Sequence, residues 1–116
     1  MGDGIRLHIA GDLLTYRLSG RVTIEHVEED IKAFKVLCLS SDRKFNLLLD
    51  LRRSEFDGLP THKKWSEFVH GPYLKRHVQK TAIVNDESES FNQEREWFES
   101  DQLKFFTHGT LALNWL

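Results

Sequence analysis

Two segments near the start of the chain alternate between apolar and polar residues. The first run covers residues 5–9 (IRLHI) and the second covers residues 14–18 (LTYRL). A period of two places alternate side chains on one face of a strand, so each run predicts a half-buried β-strand. Gly11 and Asp12 between the runs form a turn signal, and Gly20 closes the second run. The pattern predicts a β-hairpin.

The period changes to three or four residues over residues 23–39. The apolar stripe of this segment consists of Val27, Ile31, Phe34 and Cys38. Acidic residues dominate the early turns and lysines come later, which is the order that the helix dipole favours. Thr23 precedes the stripe as a suitable N-cap. The segment predicts an amphipathic helix that packs on a sheet.

Residues 45–51 (FNLLLDL) form a nearly continuous apolar run of strand length. A strand that is covered on both faces has this composition, so we expect a central strand. Together with the preceding strand and helix, it predicts a parallel β-α-β unit.

The second half of the chain has weaker but readable signals. Residues 52–60 are polar and predict a loop, after which Thr61 is expected to cap a second helix that ends before Gly71 and Pro72. The remaining predicted elements are a short turn at residues 73–77, a strand at 78–84, a loop at 85–90, a third helix capped by Ser90, a strand at 103–106 and a terminal helix at 110–116. The order β-β-α-β-α-β-α-β-α predicts one α/β domain over residues 1–116, with Trp115 and Leu116 packed at its end.

Composition narrows the range of functions. The length of 116 residues suits a single domain, and the formal net charge of −2 argues against a general nucleic-acid binder. No apolar run is long enough to cross a membrane, so we expect no integral membrane segment. Cys38 is the only cysteine, which excludes an internal disulfide and suits a reducing compartment. We therefore expect a cytoplasmic protein.

The residue types needed for chemistry are present, but their spacing is not that of a known site. Six histidines occur without the short spacings that place two imidazoles on one metal, so we expect neither a metal nor a cofactor. Cys38 lies at the end of the first helix on its apolar stripe, where a thiolate is disfavoured. We expect it to be a buried, unreactive core residue rather than a nucleophile. Phosphate-binding loops and the G-x-S-x-G motif are absent from the sequence.

Charge divides the second half of the chain into two regions. Residues 62–80 are rich in lysine, arginine and histidine, whereas residues 86–101 carry seven acidic side chains against the single Arg95. One interpretation is a pair of solvated helix faces. The other is a docking surface, either for a second protein or between two copies of this chain. Under the second interpretation we hypothesise a homodimer.

The order of these segments resembles the SpoIIAA-like family of small bacterial proteins, which is related in fold to STAS domains and to CRAL-TRIO lipid-transfer proteins. The segments that carry the resemblance are VTIEHVEEDI, FNLLLDLRRSEFDG, the helix with Trp65, KTAIVND and LKFFTHGTLALNWL, in which Ala112, Trp115 and Leu116 fill the closing Ala-x-x-Trp-Leu pattern. The resemblance implies a single-domain mixed β-sheet with helices mainly on one face. It implies no established activity, since fold alone does not fix function.

One departure from the STAS pattern matters. In STAS antagonists a strand ending in Asp-Leu is followed by Asp-Ser-x-Gly, whose serine is phosphorylated at a helix start. Here Asp50 and Leu51 end the strand, but the matching stretch is Phe-Asp-Gly-Leu at residues 56–59, and Ser54 is displaced. This departure argues against a phosphorylation switch, and capping suffices to explain Thr61.

Three functions are compatible with the sequence. The first is a non-catalytic binding or regulatory module for another protein, and its candidate surface consists of Asp50, Arg52, Arg53, Asp57, Trp65, Tyr73 and Trp97. The second is a carrier of a small apolar ligand or lipid, which requires a cavity lined by Trp65, Phe68, Tyr73 and Trp97. The third is an enzyme that uses Asp50, His62 or Asp57, although no acid–base pair is evident. We favour the first.

Overall fold

The computed structural model describes residues 4–40 and 43–116, so the expected domain extends beyond the described residues at residues 1–3 and 41–42. The elements in chain order are β1 (Gly4–Ala10), β2 (Leu13–Val22), α1 (Ile24–Leu39), β3 (Phe45–Asp50), β4 (Ser54–Phe56), α2 (Leu59–Val69), α3 (Pro72–His77), β5 (Val78–Val84), α4 (Glu89–Phe98), β6 (Leu103–Phe106) and α5 (Gly109–Trp115). None of the helices in these ranges combines the length and apolarity needed to span a membrane.

The strands form one mixed sheet in the order β1-β2-β3-β5-β6, with β4 paired to β2. β1 and β2 are the antiparallel hairpin that the alternation predicts. β3 lies parallel to β2 and to β5, and β5 lies parallel to β6. The central, doubly covered position predicted for residues 45–51 is therefore confirmed, because β3 has a neighbour on each side and its last four residues are buried.

Helices cover the two faces of the sheet unequally. Leu14, Tyr16 and Leu18 of β2 point to a large core that α1, α2, α3 and α4 complete. On the opposite face, α5 covers a smaller core of Leu48, Ala82, Val84 and Ala112. The predicted mixed sheet with helices mainly on one face is confirmed.

The N-terminus of α1 is capped as predicted. The Thr23 hydroxyl accepts a hydrogen bond from the His26 N–H at 3.3 Å, and Nδ1 of His26 accepts one from the Thr23 N–H at 3.1 Å. Two backbone donors that the helix leaves without partners are thus satisfied by side chains. Val27, Phe34 and Cys38 are buried along the predicted stripe.

The predicted caps of the second and third helices are wrong. α2 begins two residues before Thr61, behind Gly58, because Pro60 fits the first turn of a helix. The Thr61 hydroxyl instead donates to the Asp57 carbonyl oxygen at 2.7 Å from inside that turn. α4 is capped by Ser88, not Ser90, since the Ser88 hydroxyl accepts from the N–H three residues on, in Phe91, at 3.0 Å.

The expected loop at residues 52–60 contains the strand β4, which the sequence did not predict. β2 extends beyond β3, and residues 20–22 of β2 pair in parallel with residues 54–56. A strand of three residues is too short to display a period, so only the unpaired end of β2 explains it.

The chain ends in a packed position, as predicted. The Trp115 ring lies against Phe106 with centroids 5.9 Å apart, and the Lys80 and Lys104 ammonium groups lie 5.1 and 5.6 Å from the Trp115 ring. Lys80 also donates to the Trp115 carbonyl oxygen at 3.2 Å. Trp115 and Leu116 both pack on the smaller core.

Candidate functional site

A cleft of about 600 Å³ opens where the parallel strands end. Its lining consists of Arg17, Leu18, Ser19, Asp50, Arg52, Arg53 and Asp86. We call it the carboxyl-edge cleft. Ligands of open α/β sheets bind outside the carboxyl ends of the strands, which makes this cleft the first place to look for a function.

Asp50 organises the cleft. It is the last residue of β3, and Arg17 lies directly beside it in register on β2. The Asp50 carboxylate is buried and accepts two hydrogen bonds from the Arg52 guanidinium, from Nε to Oδ1 at 3.0 Å and from Nη2 to Oδ2 at 2.9 Å. The Arg52 backbone N–H donates to the same Oδ1 at 3.1 Å. This two-pronged pair is among the stronger polar contacts in proteins, and it fixes the Arg52 side chain in place.

The charge state of Asp50 follows from these contacts. Burial by itself raises the pKa of Asp50, but the hydrogen bonds from Arg52 and the charges of Arg52 and Arg17 outweigh it and hold the pKa below its ordinary value. The carboxylate therefore stays ionised at neutral pH, and both of its oxygens are occupied by hydrogen bonds from Arg52.

The turn after β3 presents the next arginine in a strained conformation. The Ser54 N–H donates to the Leu51 carbonyl oxygen at 3.2 Å, and the Arg53 carbonyl oxygen accepts from the Gly20 N–H at 2.8 Å. Arg53 has φ 66°, the single positive value at a residue other than glycine in the described ranges. Such a conformation disfavours side chains with a Cβ, and where it persists it marks a position of possible functional interest.

The start of α5 lies against Arg52. A Cβ at Gly109 would stand 3.4 Å from Nη2 of Arg52, closer than most side-chain contacts. Arg52 is therefore held between the Asp50 carboxylate and the backbone of Gly109, whereas Arg17 and Arg53 are exposed at the rim of the cleft.

The structure brings together only three of the seven predicted surface residues, namely Asp50, Arg52 and Arg53. Asp57 lies outside the cleft and pairs with Arg21 at 2.6 Å. Trp65 is only 4% exposed, so it belongs to the core and presents no surface. Tyr73 is half-buried and packs against Phe34.

Trp97 lies away from the cleft, at a second pocket where β5 and β6 begin. Here α2, α3 and α4 leave a space of about 310 Å³, which we call the Trp97 pocket. Trp97 is 64% exposed. The His70 ring stacks on Phe98 with centroids 3.8 Å apart. Burial, followed by the charges of Lys75 and His62, lowers the pKa of His70 to about 4, so the imidazole is neutral at pH 7.

The cavity predicted for a carrier is not formed as expected. Of its four predicted aromatic residues, only Trp97 lines the Trp97 pocket. Trp65, Phe68 and Tyr73 pack within the large core or against it, because they fill the space between α1, α2 and the sheet. The apolar lining comes instead from Val69, Leu74, Val78 and Leu103.

Sequence reasoning missed four residues of the cleft, of which two are charged, Arg17 and Asp86, and two are not, Leu18 and Ser19. Arg17 stands on the polar side of the alternating β2 run, and Asp86 follows β5 in a loop. The alternation placed Arg17 on the open face, but only the register with Asp50 places it at the site.

The remaining candidates for chemistry are held in other roles. Nε2 of His62 lies 3.8 Å from the Glu94 carboxylate. Cys38 is buried as predicted, and burial raises the pKa of its thiol although a contact with Tyr73 acts in the opposite sense. Within residues 4–40 and 43–116, no three side chains of the usual metal-binding types are grouped to hold an ion.

Among solved structures, the chain is similar to an uncharacterised protein of the DUF3478 family with a SpoIIAA-like fold from Shewanella loihica PV-4. The TM-score is 0.69 at 20% sequence identity, over 97% of this chain and 92% of the other. No protein-family model and no curated protein matches the chain. The likeness confirms the SpoIIAA-like fold that the sequence predicts, and at this identity it concerns the fold alone.

Proposed function

We propose that this protein is a non-catalytic binding module and that its carboxyl-edge cleft takes an acidic group of a partner protein. The observation that carries the proposal is the Asp50–Arg52 pair, which fixes one guanidinium in a cleft that Arg17 and Arg53 also line. Rigid guanidinium groups match the geometry of carboxylates and phosphates.

The guanidinium groups of the two rim arginines, Arg17 and Arg53, can form further contacts with an anion. Arg17 approaches Asp50 no closer than 3.5 Å, which is longer than a strong charge-assisted hydrogen bond. Arg53 is exposed and makes no ion pair with any other described residue. Two arginines that extend into solvent beside a fixed third one favour an anionic group with several oxygens.

A catalytic role for the cleft has little support. Asp50 is ionised, buried and bound to Arg52, so it is poorly placed to exchange protons with a substrate. Apart from Asp50, the described lining offers only the Asp86 carboxylate as a base and the Ser19 hydroxyl as a nucleophile, and it contains no histidine, cysteine or lysine. The only cysteine is buried, and a chain without a disulfide suits a reducing compartment. We therefore include a cytoplasmic location in the proposal.

A titration followed by NMR locates the binding surface. We expect hexaglutamate to shift the backbone amides of residues 17–20, 52–54 and 86 in ¹⁵N-labelled protein, in a saturable manner and at low salt. Hexalysine, the matched probe of opposite charge, should leave those amides unmoved. Shifts confined to other parts of the chain, or equal shifts with both probes, would overturn the proposal.

A carrier of a small apolar ligand is the second candidate, and the Trp97 pocket is the observation that favours it. Its volume of about 310 Å³ lies at the lower end of the range for ligand sites, about 300 to 1,000 Å³, so it suits a compact ligand rather than a long lipid. Native mass spectrometry of freshly purified protein separates the two functions. A retained small molecule supports the carrier, and the mass of the bare polypeptide supports the binding module.

We also propose that two copies associate through the basic surface of α2 and α3, the acidic surface of α4 and the exposed Trp97. Some of the charges are already paired within one chain, as Lys64 is with Glu28 at 2.8 Å and Arg95 with Glu99 at 3.3 Å. Lys75 and Arg76 are exposed without an ion pair among the described residues. A two-fold interface would bring each basic surface against the acidic surface of the other copy. Burial of Trp97 would supply the main attraction.

A further inference from the structure

The helix layer leaves one flank of the large core uncovered. α1 contacts α2 on one side, where Lys64 bonds Glu28, but on its other side there is only the edge strand β1. Leu7 and Ile9 stand opposite Tyr16 and Leu14 in the hairpin and so share the core face of the sheet. They are nevertheless 38% and 46% exposed, because α1 covers them only in part.

A groove of about 220 Å³ follows this flank between α1 and β1. Its lining consists of Leu7, His26, Glu29, Asp30 and Ala33. We call it the α1–β1 groove. Two of these five side chains are carboxylates, and Nδ1 of His26 is occupied by the Thr23 N–H.

Asp30 is the unusual member of the groove. It is only 8% exposed, yet its carboxyl group makes no hydrogen bond or ion pair with any described residue. The Tyr16 hydroxyl, buried in the core beneath α1, also has no partner among the described residues. Burial of an unpaired carboxylate opposes folding, and native proteins almost always give such groups a partner. Because Asp30 lines the groove, its carboxyl group is placed to meet a cation there.

We propose that the α1–β1 groove binds an extended basic segment of a partner protein, whose lysine or arginine side chain pairs with Asp30 while the apolar side chains two residues before and after it pack on Leu7 and Ile9. Charge complementarity decides the occupant, since the described lining offers two carboxylates and no lysine or arginine. β1 is an edge strand whose outer backbone groups are unpaired by the sheet, so an extended segment can bond to it. This site is separate from the carboxyl-edge cleft.

The test uses a matched pair of peptides on the full chain. Acetyl-Val-Thr-Arg-Thr-Val-amide, in which both valines share a face with the arginine when the peptide is extended, should cause saturable shifts at the amides of residues 7–9 and 26–33 in an NMR titration. The same peptide with citrulline in place of arginine keeps the shape and loses the charge, and it should bind at least about tenfold more weakly. Equal binding of the two peptides, or no saturable shift with the arginine peptide, would overturn the proposal. This comparison needs no variant.

Variants then locate the charge that binds. Asp30→Asn should weaken binding of the arginine peptide by about tenfold or more, whereas Glu25→Gln, an exposed change on the same helix outside the groove, should leave it unchanged. Hexaglutamate should not compete, which keeps this result distinct from that of the cleft. Unchanged affinity in a folded Asp30→Asn variant would contradict the assignment to Asp30.

Discussion

Asp30 and Asp50 are both buried, but their surroundings shift their pKa values in opposite directions. Asp50 accepts three hydrogen bonds from Arg52, which more than offset its burial and lower its pKa. Asp30 has no such donors, so burial raises its pKa to about 7. The first carboxylate supports the fold at neutral pH, and the second opposes it.

Replacement of Asp30 by asparagine should give a gain in stability that depends on pH. The folded pKa of about 7 lies above the ordinary value of 3.8, so the protonated group suits the fold. The free-energy cost of burying the ionised Asp30 carboxylate is absent at acid pH, and it grows as the pH rises from about 4 through 7. The free energy of unfolding of Asp30→Asn should therefore exceed that of the wild type by about 2 to 4 kcal/mol at pH 8. The two values should match near pH 4.

Urea unfolding at several pH values measures this difference in the free energy of unfolding. Glu25→Gln, in the exposed first turn of the same helix, should lower the free energy of unfolding by at most about 1 kcal/mol, because it removes only the interaction of that carboxylate with the helix dipole. A difference between Asp30→Asn and the wild type that does not change with pH would contradict the interpretation.

The turn at Arg53 gives a second test. Arg53→Gly removes the guanidinium together with the unfavourable φ of 66°, so it should raise the free energy of unfolding by about 1 kcal/mol. Arg53→Ala removes only the guanidinium and should leave stability almost unchanged. Chemical unfolding of the two variants is the measurement, and equal stabilities would show that the turn is not strained. Both variants should bind hexaglutamate more weakly than the wild type.

Some site residues could be predicted from their position in the sequence, and others could not. Arg52 and Arg53 follow a recognisable buried strand, so their place at the sheet edge could be predicted. Arg17 lies thirty-three positions before Asp50 (50 minus 17) and meets it only through strand register. Trp65 and Trp97 could not be distinguished from the sequence, since both lie on helices among charged residues. Trp65 is buried in the core, whereas Trp97 is exposed at the surface.

β1, β2 and α1 were predictable because each is long enough to repeat its period, whereas β3 was recognisable as a nearly continuous apolar run. The starts of α2 and α4 were not, because several residues near each start can act as a cap. At α4, Ser88 and Ser90 both precede the apolar residues. Ser88 is the cap because its hydroxyl accepts from the N–H of Phe91, three residues later, which is the usual spacing of a cap. β4 was missed because its existence depends on the unpaired end of β2.

The packing of α5 predicts that the chain end is needed for stability. Deletion of residues 114–116 removes Trp115 from between Lys80 and Lys104 and uncovers part of the smaller core. We expect a loss of about 3 kcal/mol and a clear fall in melting temperature, measured by circular dichroism. Leu39→Ala is the control, because Leu39 is largely exposed and should change stability far less. Equal melting of the truncated and intact chains would contradict the packing described.

The formal net charge of −2 conceals a separation of charge over the fold. The carboxyl-edge cleft presents arginines, and the α1–β1 groove presents carboxylates beside an apolar strand. These two surfaces of opposite charge are the ones that we propose bind partner proteins.

Association of two copies has a direct test in light scattering over a dilution series. At low salt we expect the mass of a dimer that dissociates on dilution and that largely persists when salt is raised, because Trp97 rather than the charged rim supplies the attraction. Trp97→Ala should shift the protein to the monomer. Leu39→Ala, which changes another exposed apolar residue, should leave the dimer intact. A monomer at every concentration in low salt would exclude this association.

Calorimetry of hexaglutamate binding to two double variants tests the cleft itself. Arg17→Gln with Arg53→Gln removes two charges from the cleft, and Arg76→Gln with Arg95→Gln removes two charges from α3 and α4. Both variants change the net charge equally, so only position differs. The cleft variant should lose about tenfold or more in affinity, and the control should stay within about twofold of the wild type. Equal losses in the two variants, or no binding by the wild type at low salt, would contradict a binding function for the cleft.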